Sequence, residues 1–123
     1  MTTPGSSRGT VLIVDDERDI VDTLADIFEL RGWRTFKAYD GQEAVAVAEA
    51  HAVEWIVMDV RMPRLTGVEA LQRIRAILPN VRVILMTAFA NGDITARAER
   101  AGAARVLYKP FDPAVLFTLM EAA

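Results

Sequence analysis

TVLIVDDERDIVDTLADIFELRG, Thr10 to Gly32, is the stretch whose reading decides the fold. Its first five residues, Thr10–Val14, are apolar after the opening threonine. That is the composition of a strand covered on both faces, not on one. Asp15, Asp16 and Glu17 then end the run. Beyond them Ile20, Val21, Leu24, Ile27 and Phe28 fall at i, i+1, i+4, i+7 and i+8, the stripe of an amphipathic helix. Gly32 stands where a glycine closes such a helix.

The same alternation continues in both character and order. Apolar strand runs recur at Trp55–Asp59 (WIVMD), Val81–Thr87 (VRVILMT) and Arg105–Tyr108 (RVLY), with a more alternating run at Arg34–Tyr39 (RTFKAY). Between them Val68, Leu71, Ile74 and Leu78 repeat at helical spacing, and the Ala-rich stretches Gln42–Ala50 and Ile94–Ala101 favour helix by propensity. Gly102 marks a helix end, and Pro79 follows the third helix. Thr66 with Glu69, and Asp40 with Glu43, have capping-box spacing. Asp112–Pro113 reads as an N-cap followed by proline at the first helical position. Five β-α units whose strands are apolar on both sides predict an α/β fold: a doubly wound, five-stranded parallel sheet in a single domain. A closed eight-unit barrel needs about 250 residues, and the chain has 123.

Composition narrows the function classes. Hydrophobic residues make up 52% and charged residues 25%, enough for a core and a wettable surface. The net charge of −3 makes direct nucleic-acid binding through phosphates a poor expectation. The absence of Cys excludes disulfides, thiolate zinc sites and Cys nucleophiles, and a single His, His51, excludes a His-cluster metal site. No apolar run approaches the roughly 18 residues of a membrane span. Residues 1–9, rich in Pro, Gly, Ser and Thr, read as a flexible leader, and 10–123 as the folded domain of a cytoplasmic protein. His51 reads as an exposed helix-end residue. Met58, Met62, Met86, Met120, Trp33 and Trp55 read as packing residues.

In a doubly wound sheet, ligands bind beyond the carboxyl ends of the strands. The first strand ends in Asp15-Asp16-Glu17, the third in Asp59, the fourth in Thr87-Ala88, and the fifth runs into Lys109-Pro110. Each is ordinary alone, as a turn former, a strand threonine or a loop lysine. A parallel sheet, however, brings all four ends to one edge. Asp15, Asp16 and Asp59 would then converge, and like charges that close raise one another's pKa unless a cation joins them. An oxygen-only donor set suits Mg²⁺ or Mn²⁺. A cation, the Lys109 ammonium and the Thr87 hydroxyl around a carboxylate suit a phosphoryl group gaining charge there.

This constellation resembles the receiver domain of bacterial two-component response regulators, a (βα)5 flavodoxin-like fold. The resemblance rests on VLIVDDE (Val11–Glu17), DGQEAV (Asp40–Val45), MDVRMPRLTG (Met58–Gly67), MTA (Met86–Ala88) and YKPF (Tyr108–Phe111), and covers Thr10 to the C-terminus. It implies that Asp59 is the phosphoacceptor for a sensor histidine kinase or phosphotransfer protein. It implies Mg²⁺ held by the Asp16 and Asp59 side chains and the Arg61 backbone carbonyl, with Asp15 acting through bound water. Lys109 would contact the phosphoryl group, and Thr87 would bond one of its oxygens and couple phosphorylation to the fourth helix and fifth strand. The bond before Pro110 is often cis in the family. A change of partner surface would follow, toward a downstream protein, a missing effector domain, or a second copy in a phosphorylation-dependent homodimer. The expected surface comprises the fourth helix, fifth strand and fifth helix, with Arg97, Arg100, Arg105 and Tyr108 as candidate contacts. A stand-alone receiver and a receiver followed by an effector domain are both open, since the chain ends about eleven residues into its last helix.

One position departs from the family. An aromatic switch residue usually lies three before the lysine, where this chain has Val106, whereas Tyr108 lies two residues further on and on the same side of the strand. Arg61 and Phe89, each two residues past a site residue, occupy the family's variable positions on the path of attacking water. Neither is a general base, so a long-lived phospho-Asp59 is expected, with Arg61 reaching over the phosphoryl group. The domain would catalyse only its own phosphorylation and dephosphorylation, and is not read as an enzyme otherwise. The alternatives are a haloacid-dehalogenase-like phosphatase, which expects D-x-D where this chain has Asp15-Asp16-Glu17, a flavodoxin-like electron carrier, disfavoured by the acidic first loop, and a phosphorylation-independent pseudo-receiver.

Overall fold

The computed structural model describes residues 8–89 and 92–122. Residues 1–7 of the expected leader lie outside the described residues. Five strands alternate with five helices: β1 (Thr10–Val14), α1 (Arg18–Leu30), β2 (Arg34–Ala38), α2 (Gly41–Ala50), β3 (Trp55–Asp59), α3 (Gly67–Ile77), β4 (Arg82–Thr87), α4 (Gly92–Ala101), β5 (Arg105–Tyr108) and α5 (Pro113–Ala122). All strand pairs are parallel, in the order β2-β1-β3-β4-β5. The expected doubly wound, five-stranded flavodoxin-like sheet is therefore the observed one. The strand ends differ from the sequence reading by one residue: β2 stops at Ala38 and β4 begins at Arg82.

The apolar run of β1 explains the two layers. Leu12 and Val14 face one core, with Ala44 and Ala48 of α2, Leu71 and Ile74 of α3, and Ala98 of α4. Val11 and Ile13 face the other, with Val21, Leu24 and Phe28 of α1 and Leu116, Phe117 and Met120 of α5. All four strand residues are fully buried, and each such side chain is worth about 1.5–3 kcal/mol against exposure. A strand so covered on both faces has no alternative register that keeps its apolar surface dry.

Caps place the loops at the site edge. Thr66 and Glu69 form the complete capping box at the start of α3. At α2 the box is only half made. Asp40 accepts from the Glu43 N–H at 2.8 Å, but the Glu43 carboxylate reaches past Asp40 and accepts from the Tyr39 N–H at 3.0 Å. Gly32 and Gly102 adopt φ of +90° and +99° just beyond α1 and α4, a region where a side chain is strained. The four methionines named above and Trp55 are buried, and His51 is exposed at the end of α2 with its ring 4.4 Å from that of Phe36.

Candidate functional site

β1 and β3 are neighbours, while the chain leaves β1 for β2 on one side and returns to β3 on the other. Their carboxyl ends flank the crevice where the winding reverses, which is where a doubly wound sheet binds ligands. Asp15 and Asp16 follow β1, Asp59 ends β3, Thr87 ends β4 and Lys109 follows β5. The structure brings all five together.

Asp15 is completely buried, and both its carboxylate oxygens are occupied. Oδ1 accepts from the Glu17 N–H at 3.0 Å, and Oδ2 accepts from Lys109 Nζ at 2.7 Å. The same ammonium lies 3.4 Å from Asp59 Oδ1. Asp16 is exposed. One oxygen from each of Asp15, Asp16 and Asp59 lies within 4.8 Å of the others. Thr87 is buried beside them, its Oγ1 accepting from the Phe89 N–H at 3.1 Å. The Lys109 N–H donates to the Thr87 carbonyl at 2.8 Å, tying the ends of β4 and β5, and the Lys109–Pro110 bond is cis.

Burial raises the pKa of Asp59 to about 6, and the Asp15 charge adds to that shift; Lys109 offsets part of it. Lys109 is half-buried, which works against its charge, but the bond to Asp15 and the nearby Asp59 outweigh this and raise its pKa. Asp15 and Asp59 share one ammonium and a third carboxylate, Asp16, stands beside them, so the cluster is short of positive charge. An oxygen-only donor set with that deficit fits a hard divalent cation.

The backbone under Asp59 is close-packed. The Val60 N–H donates to Met86 O, and the Gly67 N–H donates to Val60 O, both at 2.8 Å. A Cβ on Gly67 would lie 2.4 Å from the Asp59 carbonyl oxygen, so the start of α3 can sit this close only as glycine.

Three residues at the rim have more particular placements. The guanidinium of Arg61, expected to reach over a phosphoryl group on Asp59, is here stacked on the Phe89 ring. Val106 is half-buried against the α2–α3–α4 core, so no aromatic ring occupies the usual switch position. Tyr108 is exposed on that same face, its hydroxyl 2.7 Å from Thr95 Oγ1 of α4. Arg64 and Asp40 were not singled out together by sequence reasoning. Arg64 NH2 donates to Asp40 Oδ2 at 2.8 Å across 24 residues of chain, and only the Asp40–Glu43 spacing was visible locally.

The family model described as response regulator receiver domain matches residues 11–121. The chain is 34% identical over 102 residues to sporulation initiation phosphotransferase F of Bacillus subtilis, covering 83% of this chain and 82% of that protein. It is 40% identical over 116 residues to transcriptional regulatory protein PdtaR of Mycobacterium tuberculosis, covering 92% of this chain but 55% of the relative. A response regulator receiver domain protein from Methanospirillum hungatei superposes with a TM-score of 0.90 at 27% identity, covering 94% of this chain and 93% of that one. Fold, strand-end chemistry and sequence therefore converge, and the chain belongs to the response regulator receiver domain family.

Proposed function

We propose that Asp59 is the phosphoacceptor of this receiver, taking a phosphoryl group from a phosphohistidine on a sensor histidine kinase or a phosphotransfer protein. The observation that carries this reading is the position of Lys109 Nζ, 2.7 Å from Asp15 and 3.4 Å from Asp59, at the end of a sheet edge that also holds Thr87. An Asp59 carboxylate oxygen forms the bond to phosphorus as the histidine N–P bond breaks, and the imidazole keeps the electron pair and takes up a proton. Asp59 must be ionised to attack; Lys109 already offsets part of the rise in its pKa, and a bound cation would favour the carboxylate further. Lys109 then pairs with the incoming phosphoryl oxygens, and Thr87 turns its hydroxyl to donate to one of them.

The Asp16 and Asp59 side chains and the Arg61 carbonyl would hold Mg²⁺, with Mn²⁺ as a substitute and Asp15 contributing through water. Bound there, the ion supplies charge neutralisation for the transferring group. An apolar cleft of about 350 Å³ beside Lys109, lined by Ile20, Leu24, Met86, Pro110 and Phe111, offers the donor a place to rest against the acceptor. The chain turns over no other substrate and acts in the cytoplasm, with 10–123 as the receiver and 1–9 as its leader. Phosphorylation is read out on the α4–β5–α5 face by a downstream protein, an effector domain or a second copy.

The test is a small acyl-phosphate donor with Mg²⁺, followed by mass spectrometry. One added phosphoryl group is expected, mapping to Asp59. Equal labelling of Asp59→Asn would sink the assignment.

A further inference from the structure

We propose that Arg64 and Asp40 form a positioning pair that sets the β3–α3 loop, and through it the place of the Arg61 carbonyl in the cation site. The proposal rests on the reading of Asp16, Asp59 and Arg61 as the ligands of a divalent cation. Neither Arg64 nor Asp40 touches that site directly.

Arg64 has φ of +69°, and among the described residues it is the only non-glycine with a positive φ. The Leu65 N–H donates to the Pro63 carbonyl at 2.8 Å, closing a three-residue turn around it. Turns of this kind with positive φ at the centre are rare and strained, and such conformations persist only where the surroundings over-determine them. Here two contacts do so, and both come from the start of α2. Leu65 is buried against Gly41, where a Cβ would lie 2.6 Å from the Leu65 carbonyl oxygen and 3.0 Å from its Cβ. Beside that contact Arg64 NH2 bonds Asp40 Oδ2 at 2.8 Å, while Asp40 Oδ1 holds the Glu43 N–H. One carboxylate thus caps α2 with one oxygen and pins the turn with the other.

The far end of the loop is equally fixed, with Gly67 pressed on the Asp59 carbonyl. In the chain Arg61 lies between Asp59, on which Gly67 presses, and the pinned Arg64–Leu65 turn. Its side chain is exposed and stacked on Phe89, so the position of its backbone carbonyl depends on the anchors on either side. Without the Arg64–Asp40 bond the strained turn loses one of its two restraints. A cation must then order the loop on binding, and affinity falls by that cost. The pair is mostly exposed on the Arg64 side, at 61%, and buried on the Asp40 side, at 12%. Its effect should therefore be smaller than that of a fully buried support and should shrink in salt.

The test is a Mg²⁺ titration of the full chain, followed by amide shifts of Asp16, Asp59 and Arg61 in NMR spectra. Asp40→Asn keeps a competent helix cap while losing the charge. Arg64→Gly removes the guanidinium while fitting the backbone conformation. Each should weaken Mg²⁺ binding about threefold to tenfold. The double variant should be no weaker than either single one, because both remove the same interaction. Arg64→Lys should recover most of the affinity. Asp16→Asn, measured alongside, reports on the site itself and should bind far more weakly than any of these. Wild-type affinity in Asp40→Asn and Arg64→Gly, with Asp16→Asn impaired, overturns the clamp and leaves the site reading intact. Failure of Arg64→Lys to restore binding also overturns it. Wild-type affinity in Asp16→Asn overturns the site reading and the clamp with it.

Discussion

The guanidinium carbon of Arg61 lies 4.0 Å from the centre of the Phe89 ring, joining the residue two past Asp59 to the residue two past Thr87. β3 and β4 are adjacent, so the stacked pair bridges the segments that follow the two strand ends. Exposed contacts of this kind are worth about 0.5–1 kcal/mol. A contact of that size opens readily, so any hold it has on the lifetime of a phosphoryl group at Asp59 is modest.

Loss of the phosphoryl group from Asp59 should be slow in the wild type and faster in both Phe89→Glu and Arg61→Asn. Phe89→Glu breaks the stack and adds a group able to orient water; Arg61→Asn breaks the stack alone. Losing the stack is expected to speed decay about twofold to fivefold, the equivalent of about 0.5–1 kcal/mol, and the added carboxylate of Phe89→Glu to carry it to about tenfold. Following decay after removal of the donor checks this, and equal rates in all three proteins would rule the bridge out as a lifetime control.

Without a divalent cation, the protein should become more stable as pH falls from 7 to 5. The folded pKa of Asp59 is about 6, above its ordinary 3.8, so the folded state binds this proton more tightly than the unfolded chain. The contribution is complete below the unfolded value and is lost as pH rises through about 6. It amounts to about 1–3 kcal/mol. Asp40, whose pKa is lowered chiefly by the Glu43 N–H, works in the opposite sense, and only as pH falls below the ordinary carboxylate range. Thermal unfolding in chelator at pH 5 and 7 should show the difference, and Asp59→Asn should abolish it while raising Tm at pH 7. A wild type more stable at pH 7 than at pH 5 would contradict this.

Gly67→Ala should destabilise the fold by about 3 kcal/mol, because the new Cβ meets backbone atoms of Asp59 and Val60, and no side chain can move aside. It should also displace Asp59 and weaken Mg²⁺ binding. Denaturant unfolding and a cation titration measure the two effects, and a variant as stable as wild type would show that the loop yields more easily than its packing indicates.

Tyr108→Phe should leave the fold intact, at a cost of about 0.5–1 kcal/mol for the lost bond to Thr95. If that bond holds α4 in its resting place, a phosphoryl mimic should produce smaller amide shifts in α4 of the variant than of the wild type. Light scattering on the same samples tests homodimerisation through this face. Identical α4 shifts in both proteins would leave Tyr108 a surface residue with no part in switching.

Much of this molecule is legible in its sequence for a simple reason. Thr10–Val14, Trp55–Asp59 and Arg82–Thr87 carry apolar residues on both faces, and only a parallel sheet covered by helices keeps them dry. Once the strands run parallel, every residue at a carboxyl end lies on one edge, so Asp15, Asp16, Asp59, Thr87 and Lys109 meet by topology alone. Tertiary structure decided what those residues and their neighbours do with their side chains. Arg61 has a long, flexible chain that is equally able to reach an anion or a ring, and only the position of Phe89 across the strand ends selects the ring. Arg64 finds Asp40 because Leu65 packs onto Gly41, a contact between loops that no local pattern encodes. Tyr108 meets Thr95 only because α4 lies along β5. The pKa of Asp59 rises because the fold buries it beside a second carboxylate. Periodicity determines which face and which edge a residue occupies; the partner it takes there depends on distant segments brought close by packing, and that is written in no local stretch of the chain.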